Sequence, residues 1–86
     1  MPEISRFFGI VIKLHFREHP PAHFHAEYGE HQALVNIHTL TVLHGHLPPR
    51  AWGLVAEWAA LHQDELLDLW ARARRGEDLP RIAPLQ

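Results

Sequence analysis

The stretch AHFHAEYGEHQALVNIHT, residues 22–39, consists of two runs in which apolar and polar side chains alternate, with Gly29 and Glu30 between them. Alternation with a period of two is typical of a β-strand with one covered face. A glycine-containing pair between two such runs is typical of a hairpin turn. The stretch therefore predicts antiparallel strands over 22–28 and 31–39, with one set of side chains facing inward: Ala22, Phe24, Ala26, Tyr28, Ala33, Val35 and Ile37.

The same alternation occurs upstream, over residues 8–17, and predicts a further strand. Its inward side chains would be Ile10, Ile12, Leu14 and Phe16. The pattern ends at His19-Pro20-Pro21, because proline has no N–H to donate and restrains the residue before it. A short strand over residues 41–46 is predicted to follow the hairpin.

The second half of the chain has a helical period instead. Apolar residues recur at helical spacing from Ala51 to Ala73, after prolines that suit a first helical turn. One helix of this length would span roughly 40 Å, so we expect two helices with a break near residues 62–63. Gly76 is a suitable C-terminal cap, and a proline-containing tail follows, with Leu79, Ile82 and Leu85 available to hold it against the body.

These patterns together predict an α+β fold, in which a small antiparallel sheet of three to four strands is covered on one face by two C-terminal helices. The 86 residues suit a single domain, with the sheet in residues 1–47, the helices in 48–76 and an extended tail in 77–86.

Composition narrows the classes of function. The absence of cysteine excludes disulfides, thiolate metal sites and cysteine nucleophiles. The apolar run over residues 7–12 is too short for a signal peptide or a membrane span, so we expect a cytoplasmic protein. Phosphate-binding glycine loops, serine-nucleophile motifs and the HExxH metal motif are also missing from the sequence. The unusual feature is histidine: the chain has nine, and eight lie between His15 and His46.

Strand alternation places four of these histidines on the face that the helices leave free. This histidine face is predicted to carry Lys13, His15, Arg17, His23, His25, Glu27, Asn36 and His38. Slipping a strand by one residue would bury its histidines at a cost of several kcal/mol unless they found partners, so the face is strongly specified.

Three uses of this face are compatible with its residues, and the first is metal-independent cleavage of RNA. His23 and His25 would act as general acid and base, with Glu27 orienting one of them. Lys13 and Arg17 would hold the phosphate and stabilise its developing charge. Tyr28 completes the residues expected to contact the substrate.

The second use is metal binding. His23 and His25 are two apart on one strand, which puts their Cα atoms about 7 Å apart on one side, a spacing that can chelate an ion such as zinc. The preferred third ligand is His19, with His15, Glu27 and His38 as alternatives.

The third use is recognition of a partner protein or a second copy of the chain. The residues alone leave open whether the protein is an enzyme.

The chain resembles a bacterial and archaeal domain-of-unknown-function family, DUF4160. The resemblance runs from PEISRFFGIVI near the start to LHQDELLDLWARARRGE near the end, and it is most distinctive in the middle: Glu18, His19, Pro20, Pro21, His23, Phe24, His25, Glu27, Tyr28 and Gly29. Ala22, between the second proline and His23, departs from the family pattern. The resemblance implies a toxin–antitoxin component encoded beside a second small protein, or a transcriptional regulator. On this basis the leading hypothesis is an RNA-binding or RNA-cleaving toxin–antitoxin component, and the alternative is a non-enzymatic metal-binding or partner-binding module.

Overall fold

The computed structural model of the protein describes residues 2–86. Five strands form one antiparallel sheet in which each strand pairs with the next along the chain. Two helices follow the sheet in the sequence. The elements are β1 (Glu3–Phe7), β2 (Ile10–Lys13), β3 (His23–Tyr28), β4 (His31–Asn36), β5 (Val42–Gly45), α1 (Pro49–Leu61) and α2 (Gln63–Arg74).

The α+β class and the two C-terminal helices are confirmed, but the expectation of three to four strands is wrong. The additional strand is β1, which pairs with β2 through a turn at Phe8 and Gly9. Both turn residues have positive φ, at 49° and 81°, as a two-residue turn between twisted strands requires. Phenylalanine is not a turn-forming residue, so no local signal divides the apolar run at this point.

The strand predicted over residues 8–17 is correspondingly too long. It ends at Lys13, and the chain then turns away, with positive φ at Arg17. Phe16 was expected to face the core, yet its side chain is 43% exposed. Alternation predicts which way a side chain faces only within the strand, and Phe16 lies beyond its last paired residue.

Within the paired strands the residues predicted to face inward are buried, except Tyr28 at the end of β3. Phe24 lies opposite Val35, and Ala26 lies opposite both Ile12 and Ala33. All five side chains are almost completely buried. They form the core together with Trp58 of α1, whose ring packs against Phe7 and Phe24. Burial of this set specifies the register of the sheet, because a slip of one residue would expose all of it.

The helix break occurs where the sequence predicted it. α1 ends at Leu61, His62 lies between the helices, and α2 begins at Gln63. α2 ends in a Schellman motif, in which the N–H of Gly76 donates to Ala73 and the N–H of Glu77 donates to Arg72. The positive φ of Gly76, 74°, is the conformation that this motif needs.

The C-terminal tail runs along the free edge of β1. The N–H of Ile82 donates to the carbonyl of Ile4 at 2.7 Å, and the indole of Trp58 donates to the carbonyl of Ala83. Ile82 is buried, and Leu79 and Leu85 pack against the core, as predicted. Neither of the helices in residues 2–86 has the length and apolar character needed to cross a membrane.

Candidate metal centre

Three histidines and one glutamate meet at a corner of the sheet. His23 and His25 belong to β3, whereas His15 and Glu18 lie in the connection between β2 and β3. We call these four residues the imidazole–carboxylate cluster. The connection contacts the end of α2, where the N–H of Arg17 donates to the carbonyl of Ala73.

The carboxylate of Glu18 is the centre of this cluster. Its Oε1 lies 2.7 Å from Nε2 of His25, 3.3 Å from Nε2 of His23 and 3.9 Å from Nδ1 of His15. The ligand atoms of His15, Glu18 and His25 all lie within 4.8 Å of one another. The rings of His15 and His25 stack with their centroids 3.9 Å apart, and the His23 ring meets His25 edge-on at 5.3 Å.

The charges in the cluster change the pKa of two of its members. Burial opposes ionisation of Glu18, but the hydrogen bond from His25 and the neighbouring imidazoles outweigh it, so the pKa of Glu18 is lowered. Burial, aided by the charge of His25, lowers the pKa of His15. The cluster therefore favours an ionised carboxylate beside a neutral His15 imidazole, which are the forms that bind metal ions.

His23 and His25 lie on the same side of β3, as predicted, but His23 is not solvent-exposed. Its side chain is 6% exposed, because Trp70 of α2 packs against its ring at 5.0 Å between centroids. The prediction that the whole histidine face is free is wrong at this position. Alternation predicts the side of β3 on which His23 lies, but not that Trp70 of α2 packs against this first residue of the strand.

His23 also has a defined tautomer. Its Nδ1 lies 2.8 Å from the carbonyl oxygen of Pro21. A carbonyl only accepts hydrogen bonds, so Nδ1 carries the proton and Nε2 of the neutral ring presents a lone pair. This Nε2 is buried and has no hydrogen-bond partner within residues 2–86. Its 3.3 Å separation from Glu18 lacks hydrogen-bond geometry.

Other residues predicted for the site lie apart from the cluster or pair elsewhere. Glu27 forms an ion pair with Lys13 at 3.2 Å, and within residues 2–86 neither side chain hydrogen-bonds to a histidine ring. Arg17 is exposed and its guanidinium lies against Gly76, at the end of α2. His19, the preferred third metal ligand, is exposed and does not belong to the close group of ligand atoms.

Tyr28 also occupies a different place from the one expected. It was predicted to face inward and to contact a substrate, but it lies at the end of β3 and is 37% exposed. There it lines a groove with Phe8 and with Arg50, Ala51 and Leu54 of α1. The structure therefore separates Tyr28 from the histidines with which the sequence analysis grouped it.

Glu18 is the central residue that the sequence analysis did not assign. It belongs to the motif that resembles DUF4160, but strand alternation cannot orient a residue in a connection between strands. His15 was named as an alternative ligand, and it lies two residues beyond the end of β2. The useful signal was the spacing of His15, Glu18 and His25 around the proline pair, which reverses the chain and returns it beside β2.

The fold and the cluster define the class of this protein: a small α+β protein with an imidazole–carboxylate cluster at one corner of a covered antiparallel sheet. Residues 9–71 match the family described as a domain of unknown function, DUF4160, and the chain belongs to that family. The resemblance stated from the sequence is thereby confirmed. No curated protein and no solved structure matches the chain.

Proposed function

We propose that this protein binds a divalent transition-metal ion at the imidazole–carboxylate cluster. One observation carries the proposal: the ligand atoms of His15, Glu18 and His25 lie within 4.8 Å of one another, although they come from different segments. Three side chains that can each donate a lone pair are thus already gathered around one point. This ligand set replaces the set of His19, His23 and His25 expected from the sequence.

The donor types favour particular ions. Imidazole nitrogens suit zinc, copper, iron and nickel, whereas magnesium and calcium require a shell of oxygen ligands. The side chains of His15, Glu18 and His25 are all partly exposed, so an ion has a path from solvent. The nearby Lys13 is neutralised by its ion pair with Glu27, which reduces repulsion of a cation.

Acid–base cleavage of RNA receives less support from the same geometry. Its proposed acid and base would be His23 and His25, but His23 is buried against Trp70. Glu27 pairs with Lys13 instead of orienting an imidazole, and Arg17 lies at the end of α2. RNA cleavage, a toxin–antitoxin role, a partner protein and a cytoplasmic location stay predictions from the sequence.

The experiment is a metal titration of protein that has first been stripped with a chelator. Isothermal calorimetry with zinc, followed by elemental analysis after gel filtration, is expected to give one ion per chain. His25→Ala should abolish stoichiometric binding. His38→Ala is the matched control, because His38 is an exposed histidine outside the cluster, and it should bind like the wild type.

Two results would overturn the proposal. One is the absence of stoichiometric binding by the wild type for zinc, cobalt, nickel and copper alike. The other is equal binding by wild type and His25→Ala. RNA cleavage by metal-free protein, lost in His25→Ala, would favour the acid–base hypothesis instead.

A further inference from the structure

We propose that His23 is a fourth metal ligand and that it closes the site into a tetrahedral centre of three nitrogens and one oxygen. This inference rests on the proposed metal-binding function and names the coordination of the same site. A closed site has no position for water or substrate, so the ion would hold the structure together instead of taking part in a reaction.

The strongest support is the orphaned Nε2 of His23. A buried nitrogen lone pair without a partner costs free energy, and here it is also close to the ionised carboxylate of Glu18, which repels it. A cation between the two atoms removes both costs. The only buried side-chain nitrogen without a partner in residues 2–86 is therefore the one beside the proposed ion.

The environment of the His23 ring is also that of a metal ligand. Ligating histidines usually donate their second N–H to a carbonyl or carboxylate, which selects the tautomer and orients the ring. The Nδ1–H of His23 donates to Pro21 in this way, at 2.8 Å. Trp70 packs against the same ring and limits its motion. The ring is thus held with its free nitrogen 3.3 Å from Oε1 of Glu18.

The distances from Oε1 of Glu18 to the three imidazoles are close to those of a tetrahedral centre, but His23 lies outside the group of ligand atoms within 4.8 Å of one another, so its ring would move toward the other two when an ion binds. With bonds of about 2.0–2.1 Å to nitrogen and oxygen, ligand atoms on one ion lie about 3.3–3.4 Å apart. The His23–Glu18 distance, 3.3 Å, already has this value. The His25–Glu18 hydrogen bond at 2.7 Å and the His15–Glu18 separation at 3.9 Å would change by roughly 0.6 Å in opposite directions to reach it.

The consequence concerns the connection between β2 and β3. This segment of residues 14–22 supplies two of the four ligands, and β3 supplies the other two. A bound ion would therefore attach the connection to the sheet, close to its contact with the end of α2. We expect zinc or cobalt to suit the centre, since both accept tetrahedral nitrogen and oxygen ligands.

The test uses cobalt(II) as a spectroscopic probe of whether protein or water fills the fourth position on the ion. The wild-type complex should show the intense visible absorption of four-coordinate cobalt. His23→Gln should still bind cobalt through His15, Glu18 and His25, but at least about tenfold more weakly, since even loss of an outer-shell partner costs 10–100-fold. Water would take the fourth position that His23 leaves, so the His23→Gln spectrum should change with pH and with added thiocyanate, whereas the wild-type spectrum should respond to neither. His19→Gln, an exposed histidine in the same connection, is the control and should match the wild type.

A second measurement avoids the variant altogether, in case His23→Gln does not fold. Imidazole nitrogen NMR of the wild type should show zinc shifting the Nε2 signal of His23 while its Nδ1 stays protonated. If zinc binds and the His23 signal does not change, or if the cobalt spectra of wild type and folded His23→Gln coincide, the fourth-ligand inference fails and the three-ligand site remains. If the wild type binds neither ion, the proposed function itself fails.

Discussion

Nε2 of His25 lies 2.7 Å from Oε1 of Glu18, and the two residues are seven positions apart in the chain. Between them the chain passes through a proline pair and enters β3. The carboxylate of Glu18 therefore contacts the strand that follows it in the chain. The site is assembled from β3 and from the connection between β2 and β3. Four predictions follow from this arrangement and from the fold that holds it.

Replacing Glu18 by Gln should weaken zinc binding by about 100-fold or more, because it removes the only anionic ligand and leaves an amide with weaker donor oxygen. Calorimetry measures the effect. Glu27→Gln is the matched control: Glu27 is also partly exposed and close to the cluster, but it pairs with Lys13. Equal losses in the two variants would show that general negative charge, and not coordination, attracts the ion.

Stability in acid should depend on Glu3. Hydrogen bonds from Arg6 and then Arg81 lower the pKa of this carboxyl from 4.5 to about 2. A lowered pKa in the folded state stabilises the fold above pH 4.5, and this contribution disappears as the pH falls toward 2. Urea unfolding of wild type and Glu3→Gln should therefore differ at pH 7 and converge as the pH approaches 2. A difference that does not depend on pH would contradict the assignment.

Gly45→Ala should destabilise the protein by more than about 1 kcal/mol, since the residue has φ of 83° and an added methyl would collide with the carbonyl oxygen of Gln32. Gly29→Ala separates the cost of backbone strain from the cost of the steric collision. Gly29 also has positive φ, 58°, but nothing lies within 4 Å of the position of its missing methyl. Chemical denaturation should show a clearly larger loss for Gly45→Ala, and equal losses would mean that backbone strain alone accounts for both.

Trp58→Ala should cost about 3–5 kcal/mol, the usual range for deleting a large buried aromatic side chain. Trp58 is fully buried between the sheet and the tail, and its indole N–H donates to Ala83. Trp58→Phe keeps most of the packing and loses the hydrogen bond, so its cost should be clearly smaller. Thermal unfolding checks the order, and equal losses in the two variants would show that the hydrogen bond, which both of them lack, dominates over packing.

Much of the fold could be predicted because its signals are local. Phe24, Ala26, Ala33 and Val35 alternate with residues that are polar except for Leu34, and apolar burial decides which way they face. The helix break at His62 and the cap at Gly76 were also identifiable, since each depends on the geometry of a few adjacent residues. β1 was missed for the same reason, because Phe8 carries no local signal for the positive φ that its turn requires.

The site could be predicted only in part. His23 and His25 were placed on one side of their strand by alternation, and their rings do meet. Burial of His23 was not predictable, because it results from Trp70, which is 47 positions later in a helix whose contact with this corner no local pattern reveals. The role of Glu18 was missed because a connection between strands has no periodicity that could orient its side chains.

The amino-acid sequence by itself determined the inward and outward faces of the paired strands, the two helices and the family, since these depend on spacing along the chain. Only the tertiary structure decided which carboxylate the histidines surround, and which of them loses contact with solvent. Those outcomes depend on how the connection between β2 and β3 packs against the end of α2, and contacts between distant segments form only when the whole chain has folded.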